Sequence, residues 1–333
     1  MNTMLKQLFG LLCRQSVGLS MGLFFVLAMP AAWGQDYPNR PVRILVPNAP
    51  GSSVDTMTRI LGTKLGEPLG ASVVVENRDG AGGLIGMDVG RKAAADGYTL
   101  ITVSNGSGVI APLLKKARPY DTAQDFELIG TFAITPNVLV VNPQLPVNSV
   151  KELIDYARAN RATVNMASAG VGSQSHLAGA LLMTMGNFES LHVPHKGGGP
   201  SVASVAGGQT HWTLTPAPAA MSQVKAGRLR VIAQSLPRRS ALLAEMPAIA
   251  ETVAGYDFNG WAGLVAPKGT PRPIIERVHA AMIKTLSFPE VRDGLAGQGA
   301  ELFPGNSEEF HRFLAQDVAN TERVMKAAQL QPE

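Results

Sequence analysis

The chain has 333 residues, with 29 Lys+Arg against 25 Asp+Glu and a single Cys. Its length supports two domains of ordinary size, each able to bury its own core. The nearly balanced charge, with no basic run and little interleaved aromatic surface, excludes nucleic acid as a partner.

The first residues point to export. Lys6 and Arg14 make a basic, acid-free start, Val17 to Met29 is apolar, and Ala32-Trp33-Gly34 supplies a small-x-small step before Gln35. This is the pattern of a cleaved secretory leader over residues 1–34. The apolar stretch is shorter than the roughly 20 residues of a spanning helix, and Pro30 ends it. Cleavage removes Cys13, so the mature chain forms no disulfide and relies on its core alone. The expected location is the periplasm, and the mature chain is expected to be soluble.

Strand and helix signals then alternate. Val42 to Val46 reads as a buried strand closed by Pro47. After a polar loop, Val54, Met57, Ile60, Leu61 and Leu65 recur at helical spacing, with Gly66 as the stop. Val73 to Val75 is a strand; a turn through Gly80, Gly82 and Gly83 opens a helix to Lys92, and Tyr98 to Val103 is a third strand. Such a βαβαβ run implies parallel pairing with helices on both faces and right-handed crossovers. The pattern restarts at Val138 to Val141, followed by a helix capped by Ser149, with Glu152 completing a capping box. Strands follow at residues 163–168, 189–193, 211–214 and 229–234, with helices from Ser173, Gly198 and Ala217. Residues 259–265 form a last strand, and the remainder reads as helical: 271–286, 289–296 and 307–325.

Two α/β units with a helical tail fit either consecutive domains or a clamp whose C-terminal segment returns to the first lobe. No Pro/Ser-rich linker or charge run lies near Asn137 or Asn259, which favours two short hinge crossings over a tether. The expected fold is therefore α/β, a two-lobed clamp of the periplasmic-binding-protein kind. Each lobe is a mostly parallel sheet flanked by helices, with a cleft between. Domain I takes 37–136 plus 261–333, and domain II takes 137–260.

Ligands of open α/β sheets bind beyond the carboxyl ends of the strands. Two loops there have suitable composition: Pro47 to Asp55 and Ser168 to His176. Both are short and rich in small residues, and both present backbone N–H groups at a helix start, which receive an anionic oxygen without a basic side chain. One such loop per lobe suits the two ends of a dicarboxylate. Neither loop carries a P-loop or dinucleotide fingerprint. There is no G-x-S-x-G elbow, and His192, His195 and His211 lack metal-ligand spacing. Ser173 with His176 keeps one catalytic alternative open, a hydrolase of small carboxylates; a Ser at a helix cap is commonly structural. A non-catalytic binder without cofactor or metal is the favoured reading.

The chain resembles the Bug family, the TctC-like solute-binding proteins of tripartite tricarboxylate transporters. The resemblance rests on Tyr37-Pro38-Asn39-Arg40-Pro41 with Pro47 to Gly51, Val74 to Arg78 with Gly80 to Gly83, and Ala95 to Leu100. It continues through Tyr120-Asp121, Asp125-Phe126, Ala167 to Gly170 ahead of Ser175 to Ala178, His192-Val193-Pro194 with Lys196-Gly197, Trp261, and Gly263 to Pro267 with Gly269 to Pro271. It implies a monomeric periplasmic clamp that closes on a carboxylate and presents it to a membrane permease. It also implies ligand contacts from Ala49, Gly51, Ser52, Ser53 and Asp55 on one lobe, and from Ala169, Gly170, Ser173, Ser175, His176 and Thr215 on the other. The chain departs from the family at Gly51-Ser52, where a Gly pair is common, at His195, where Tyr is usual, and at Thr215-Pro216, where Asp-Asn is frequent. The last change removes a partner for an ammonium group, so the expected ligand is a dicarboxylate with an apolar middle, aliphatic or aromatic such as terephthalate.

Overall fold

The computed structural model describes residues 37–332, apart from Ala162 and Gln329; the expected leader lies outside the described residues. In chain order the elements are β1 (Val42–Val46), α1 (Ser53–Leu69), β2 (Val73–Asn77), α2 (Leu84–Arg91), β3 (Thr99–Ser104), β4 (Phe126–Thr135), β5 (Asn137–Val141), α3 (Val150–Ala159), β6 (Asn165–Ser168), α4 (Gln174–Met185), β7 (Leu191–Pro194), α5 (Gly198–Ala206), β8 (Trp212–Pro216), α6 (Ala217–Lys225), β9 (Arg230–Gln234), β10 (Gly260–Pro267), α7 (Arg272–Leu286), α8 (Pro289–Gly297), β11 (Glu301–Gly305) and α9 (Ser307–Ala327).

These strands form two sheets. Lobe 1 is built on the order β11-β4-β10-β3-β1-β2, and lobe 2 on β7-β6-β8-β5-β9. In lobe 1 the trio β2-β1-β3 is parallel, as the βαβαβ reading requires, whereas β10, β4 and β11 add on antiparallel. Lobe 2 repeats the plan: β7-β6-β8 is parallel, and β5 pairs antiparallel with both β8 and β9. The parallel trio in each lobe is the part whose carboxyl ends offer helix N-termini to a ligand.

Three local differences from the sequence reading have simple causes. The helix α1 does not stop at Gly66; it continues over Pro68 to Leu69, and Gly70, at φ 88°, closes it by donating to the Gly66 carbonyl. A left-handed residue is the usual helix terminator, and Gly adopts it without a Cβ penalty. At α3, Ser149 accepts from the Glu152 N–H, but the Glu152 carboxylate takes the Asn148 N–H, one residue before the box position. The strands β4 and β11 carry no legible alternation: β4 is buried along nearly its whole length, and β11 lies in the tail that reads as helical.

The chain passes between the sheets twice, through Pro136 and again through Asn259, and one polar cluster ties both passages together. The Asn137 N–H donates to Ser235 Oγ at 2.7 Å, and Ser235 Oγ donates to Asn259 Oδ1 at 2.6 Å. Asn137 Nδ2 donates to the Phe258 carbonyl at 2.6 Å, and its Oδ1 accepts from Gln174 Nε2, the first residue of α4, at 3.3 Å. At Gly260 a Cβ would collide with Thr135 Oγ1 and the Gln174 amide, so only Gly fits between the two passages.

The apolar core runs through both lobes. Leu177 and Leu181 of α4 join Phe310 and Leu314 of α9, together with Tyr256, Phe258 and Trp261, in one buried cluster. Each such side chain contributes about 1.5–3 kcal/mol when fully buried. The lobes also meet elsewhere: Lys225 Nζ donates to the Gly297 carbonyl at 3.1 Å, Ser240 Oγ donates to the Glu301 carboxylate, and Leu114 lies against Gly172.

Candidate functional site

The two loops singled out in the sequence open α1 and α4 with the same backbone construction. In lobe 1, Gly51 has φ 76° and Ser52, at φ −67° and ψ 160°, is the cap; in lobe 2, Gly172 has φ 73° and Ser173, at φ −70° and ψ 160°, is the cap. Each cap hydroxyl accepts the N–H three residues on, from Asp55 and from His176, at 3.3 Å in both cases. The cap N–H groups turn back on Ala49 and Gly170, each at 3.1 Å. Each glycine N–H then donates to the side chain four residues on: Gly51 to Asp55 Oδ2 at 2.8 Å, and Gly172 to His176 Nδ1 at 3.0 Å.

Gly51, Ser52 and Asp55 have spent their N–H groups internally, as have Gly170, donating to Ser168 Oγ, and Ala169, donating to Ser175 Oγ. The N–H groups of Ser53 and Val54 at the start of α1, and of Gln174 and Ser175 at the start of α4, have no acceptor among the described residues. A helix leaves its first donors unpaired and carries a partial positive charge at that end, so each loop offers two adjacent donors to one anionic oxygen pair. Val54 and Gln174 were not singled out by sequence; their position within the first two residues after a helix cap is the signal that marks them.

Asp55 is buried, and both its oxygens are occupied. Oδ2 takes the Gly51 N–H, while Oδ1 takes Arg59 Nε at 2.9 Å and Asn77 Nδ2 at 2.9 Å. Burial alone would raise its pKa, but the Arg59, Gly51 and Asn77 donors outweigh that and hold the carboxyl below its ordinary value. Asn77 also donates to the Asn48 carbonyl, fixing the loop from the β2 side. Asp55 thus shapes the loop from within. Gly83, at φ 103°, lies so close to Pro47 and Ser107 that a side chain there would push apart the three βα turns of this lobe.

His176 is stacked on His192 of β7, ring centroids 3.9 Å apart and 5° from parallel. Burial, then the neighbouring His192, pushes His176 down to about 4; burial and His195 also lower His192. His192 Nε2 lies 2.6 Å from Ser168 Oγ, which bonds both the N–H and the carbonyl of Gly170. Ser173 Oγ is within 3.1 Å of Ser175 Oγ. With Nδ1 of His176 engaged by Gly172, the Ser173/His176 pair is a cap and a loop fastener rather than a nucleophile and its base. Thr215 is buried in β8 opposite Val138, and the following Ala217 N–H donates to the Pro136 carbonyl at 2.9 Å.

Comparison with known proteins agrees with this architecture. Residues 57–330 match the family described as the tripartite tricarboxylate transporter family receptor, TctC. A solved structure titled R. palustris Rpa4515 with adipate is 34% identical, with a TM-score of 0.84, covering 90% of this chain and 100% of that one. The periplasmic binding protein BugD is 30% identical, with a TM-score of 0.82, covering 89% of this chain and 100% of that one. MatC (Rpa3494) from Rhodopseudomonas palustris, with bound malate, is 27% identical, with a TM-score of 0.78, covering 86% of this chain and 99% of that one. Two α/β lobes, paired helix starts with open donors, and a match over most of its length make this chain a member of the TctC receptor family, a solute-binding protein and not an enzyme.

Proposed function

We propose that this chain is a periplasmic receptor that captures a small dicarboxylate, one carboxylate at the start of α1 and the other at the start of α4, and delivers it to the permease of a tripartite transporter. The observation that carries the reading is the pair of equivalent loops, each with two adjacent open N–H donors and no Lys or Arg of its own. The named neighbours that hold adipate and malate support the carboxylate class. Domain I, 37–136 plus 261–333, and domain II, 137–260, act as the jaws, with the Asn137–Ser235–Asn259 cluster as the hinge, and residues 1–34 serve as the export leader.

The finer ligand assignment follows from charge. An amino acid brings an ammonium group, whose desolvation in a closed cleft is costly without an acidic partner. Asp55 is consumed by Gly51, Arg59 and Asn77, and Thr215-Pro216 offers no charge. A dicarboxylate with an apolar middle, aliphatic or aromatic such as terephthalate, fits these conditions. Calorimetry of the mature protein against adipate, terephthalate, malate, citrate, aspartate and glutamate tests the assignment. A dicarboxylate without ammonium is expected to bind tightest, and an amino acid as the tightest ligand overturns it.

A further inference from the structure

The two loops are fastened by the same device with different chemistry at its end. In lobe 1 the acceptor for the glycine N–H is a carboxylate, which accepts at any pH where it is ionised. In lobe 2 it is Nδ1 of an imidazole, which accepts only when the ring is neutral and its proton sits on Nε2. We propose that His176 is a positioning residue for ligand capture: as the neutral, Nε2-protonated tautomer it holds Gly172, and through it the donor pair Gln174 and Ser175, in the geometry that receives a carboxylate. The inference rests on the reading that this loop takes one end of an anionic ligand.

Three observations bring the residue to this role. The geometry is copied on the other lobe, where Asp55 stands in the place of His176 and meets Gly51 as His176 meets Gly172. Among the described residues the Gly172 N–H has no acceptor other than His176 Nδ1, since the Ser173 hydroxyl is used by the His176 N–H and lies beside Ser175. The ring is held in place by its stack on His192, which is itself tied to Ser168 at the start of the loop, so the two histidines fix both ends of one turn. The titratable groups facing His176 are His192 and, beyond it, His195, so no carboxylate among them favours the charged ring. Protonation puts a hydrogen on Nδ1 against the Gly172 N–H, two donors facing each other, and frees the turn.

The test reads the clasp without ligand first. Imidazole nitrogen spectra of the free mature protein at pH 7 are expected to show His176 with a bare Nδ1, and the Gly172 amide to be protected from exchange relative to its intrinsic rate. Protection is expected to be lost in His176→Ala, retained in His176→Asn (whose Oδ1 accepts in place of the ring), and lost in the parent but not in the Asn variant as pH falls through about 4. Calorimetry with adipate follows: about fivefold weaker binding for the Ala variant, the equivalent of one net hydrogen bond, and recovery in the Asn variant. If adipate binds none of the proteins, the dicarboxylate reading falls while the amide data still decide the clasp. A protonated Nδ1 at pH 7, a protected Gly172 amide in the Ala variant, or equal acid sensitivity in the Asn variant overturns the proposal.

Discussion

The loop before α1 and the loop before α4 share dihedral angles, cap and hydrogen-bond pattern, yet differ in how many groups hold the last link. Asp55 gathers donors from three directions, Gly51, Arg59 and Asn77, so its loop is fastened to its own helix and to the neighbouring strand. His176 offers one ring acceptor to one glycine, and its ring is steadied by a stacked imidazole. The glycine N–H therefore meets a multiply bonded acceptor in one lobe and a singly bonded one in the other. Redundancy makes the first loop costly to disturb, and the single link makes the second responsive.

The largest separation between the two is expected from Asp55→Ala. Removing the buried carboxylate leaves the Gly51 N–H, the Asn77 amide and the half-exposed Arg59 guanidinium without their shared acceptor, at a cost of about 3 kcal/mol. Denaturant unfolding checks it; a loss below about 1 kcal/mol would mean the three donors find water instead. Next comes Gly172→Ala. A Cβ there adopts a left-handed conformation, at about 1–2 kcal/mol, and also falls on Leu114 of the opposite lobe. Ligand affinity is expected to drop by more than tenfold in titration calorimetry, with a smaller change in unfolding midpoint. Its counterpart Gly51→Ala meets nothing within 4 Å, so only the same conformational cost, about 1–2 kcal/mol, is expected. Equal losses of affinity in the two alanine variants would remove the contact with Leu114 from the account.

A smaller effect appears in the pH dependence of stability. The folded pKa of His176 is lowered from 6.5 to about 4, so above 6.5 both folded and unfolded chains keep the ring neutral. Between 6.5 and about 4 the unfolded chain takes up a proton that the folded one refuses, and stability declines as pH falls through that window. The folded pKa of Asp55 is also lowered, from 3.8; its contribution is present above 3.8 and is lost only as pH falls through the folded value. The difference in unfolding free energy between the parent and His176→Asn is expected to change between pH 6.5 and 4, whereas that between the parent and Asp55→Asn changes only below that range. Parallel curves throughout would erase the distinction.

The helix starts were legible in the sequence because their chemistry is local. A Ser after a Gly, followed by a periodic apolar run, determines a cap within a few residues, and that signal located both loops. What each group does in them was less legible. Ala49, Gly51, Ala169 and Gly170 read as ligand contacts; of these, the N–H groups of Gly51, Ala169 and Gly170 are turned inward. Ser53 and Ser175, also read from sequence, keep open N–H groups, and the folded arrangement adds Val54 and Gln174 to them. Asp55 read as a charge available to a ligand because Asn77, 22 residues away, is invisible from the loop. The stack of His176 on His192 depends on β6 and β7 being neighbours, a pairing no spacing announces. The strand β4 escaped for the opposite reason: a segment buried on both faces loses the alternation by which a strand is recognised.

The bond between Gln174 and Asn137 has a mechanical consequence. If the Asn137–Ser235–Asn259 cluster is the hinge proposed above, the first residue of α4 is fastened to the fulcrum itself, and the grip proposed at α4 works on a short lever. On a short arm, a small change in the span between the two grips becomes a large change in the angle between the jaws. Under the proposed capture by the two loops, the length of the ligand would be translated into the angle between the lobes, and a permease touching both lobes would read it without touching the ligand.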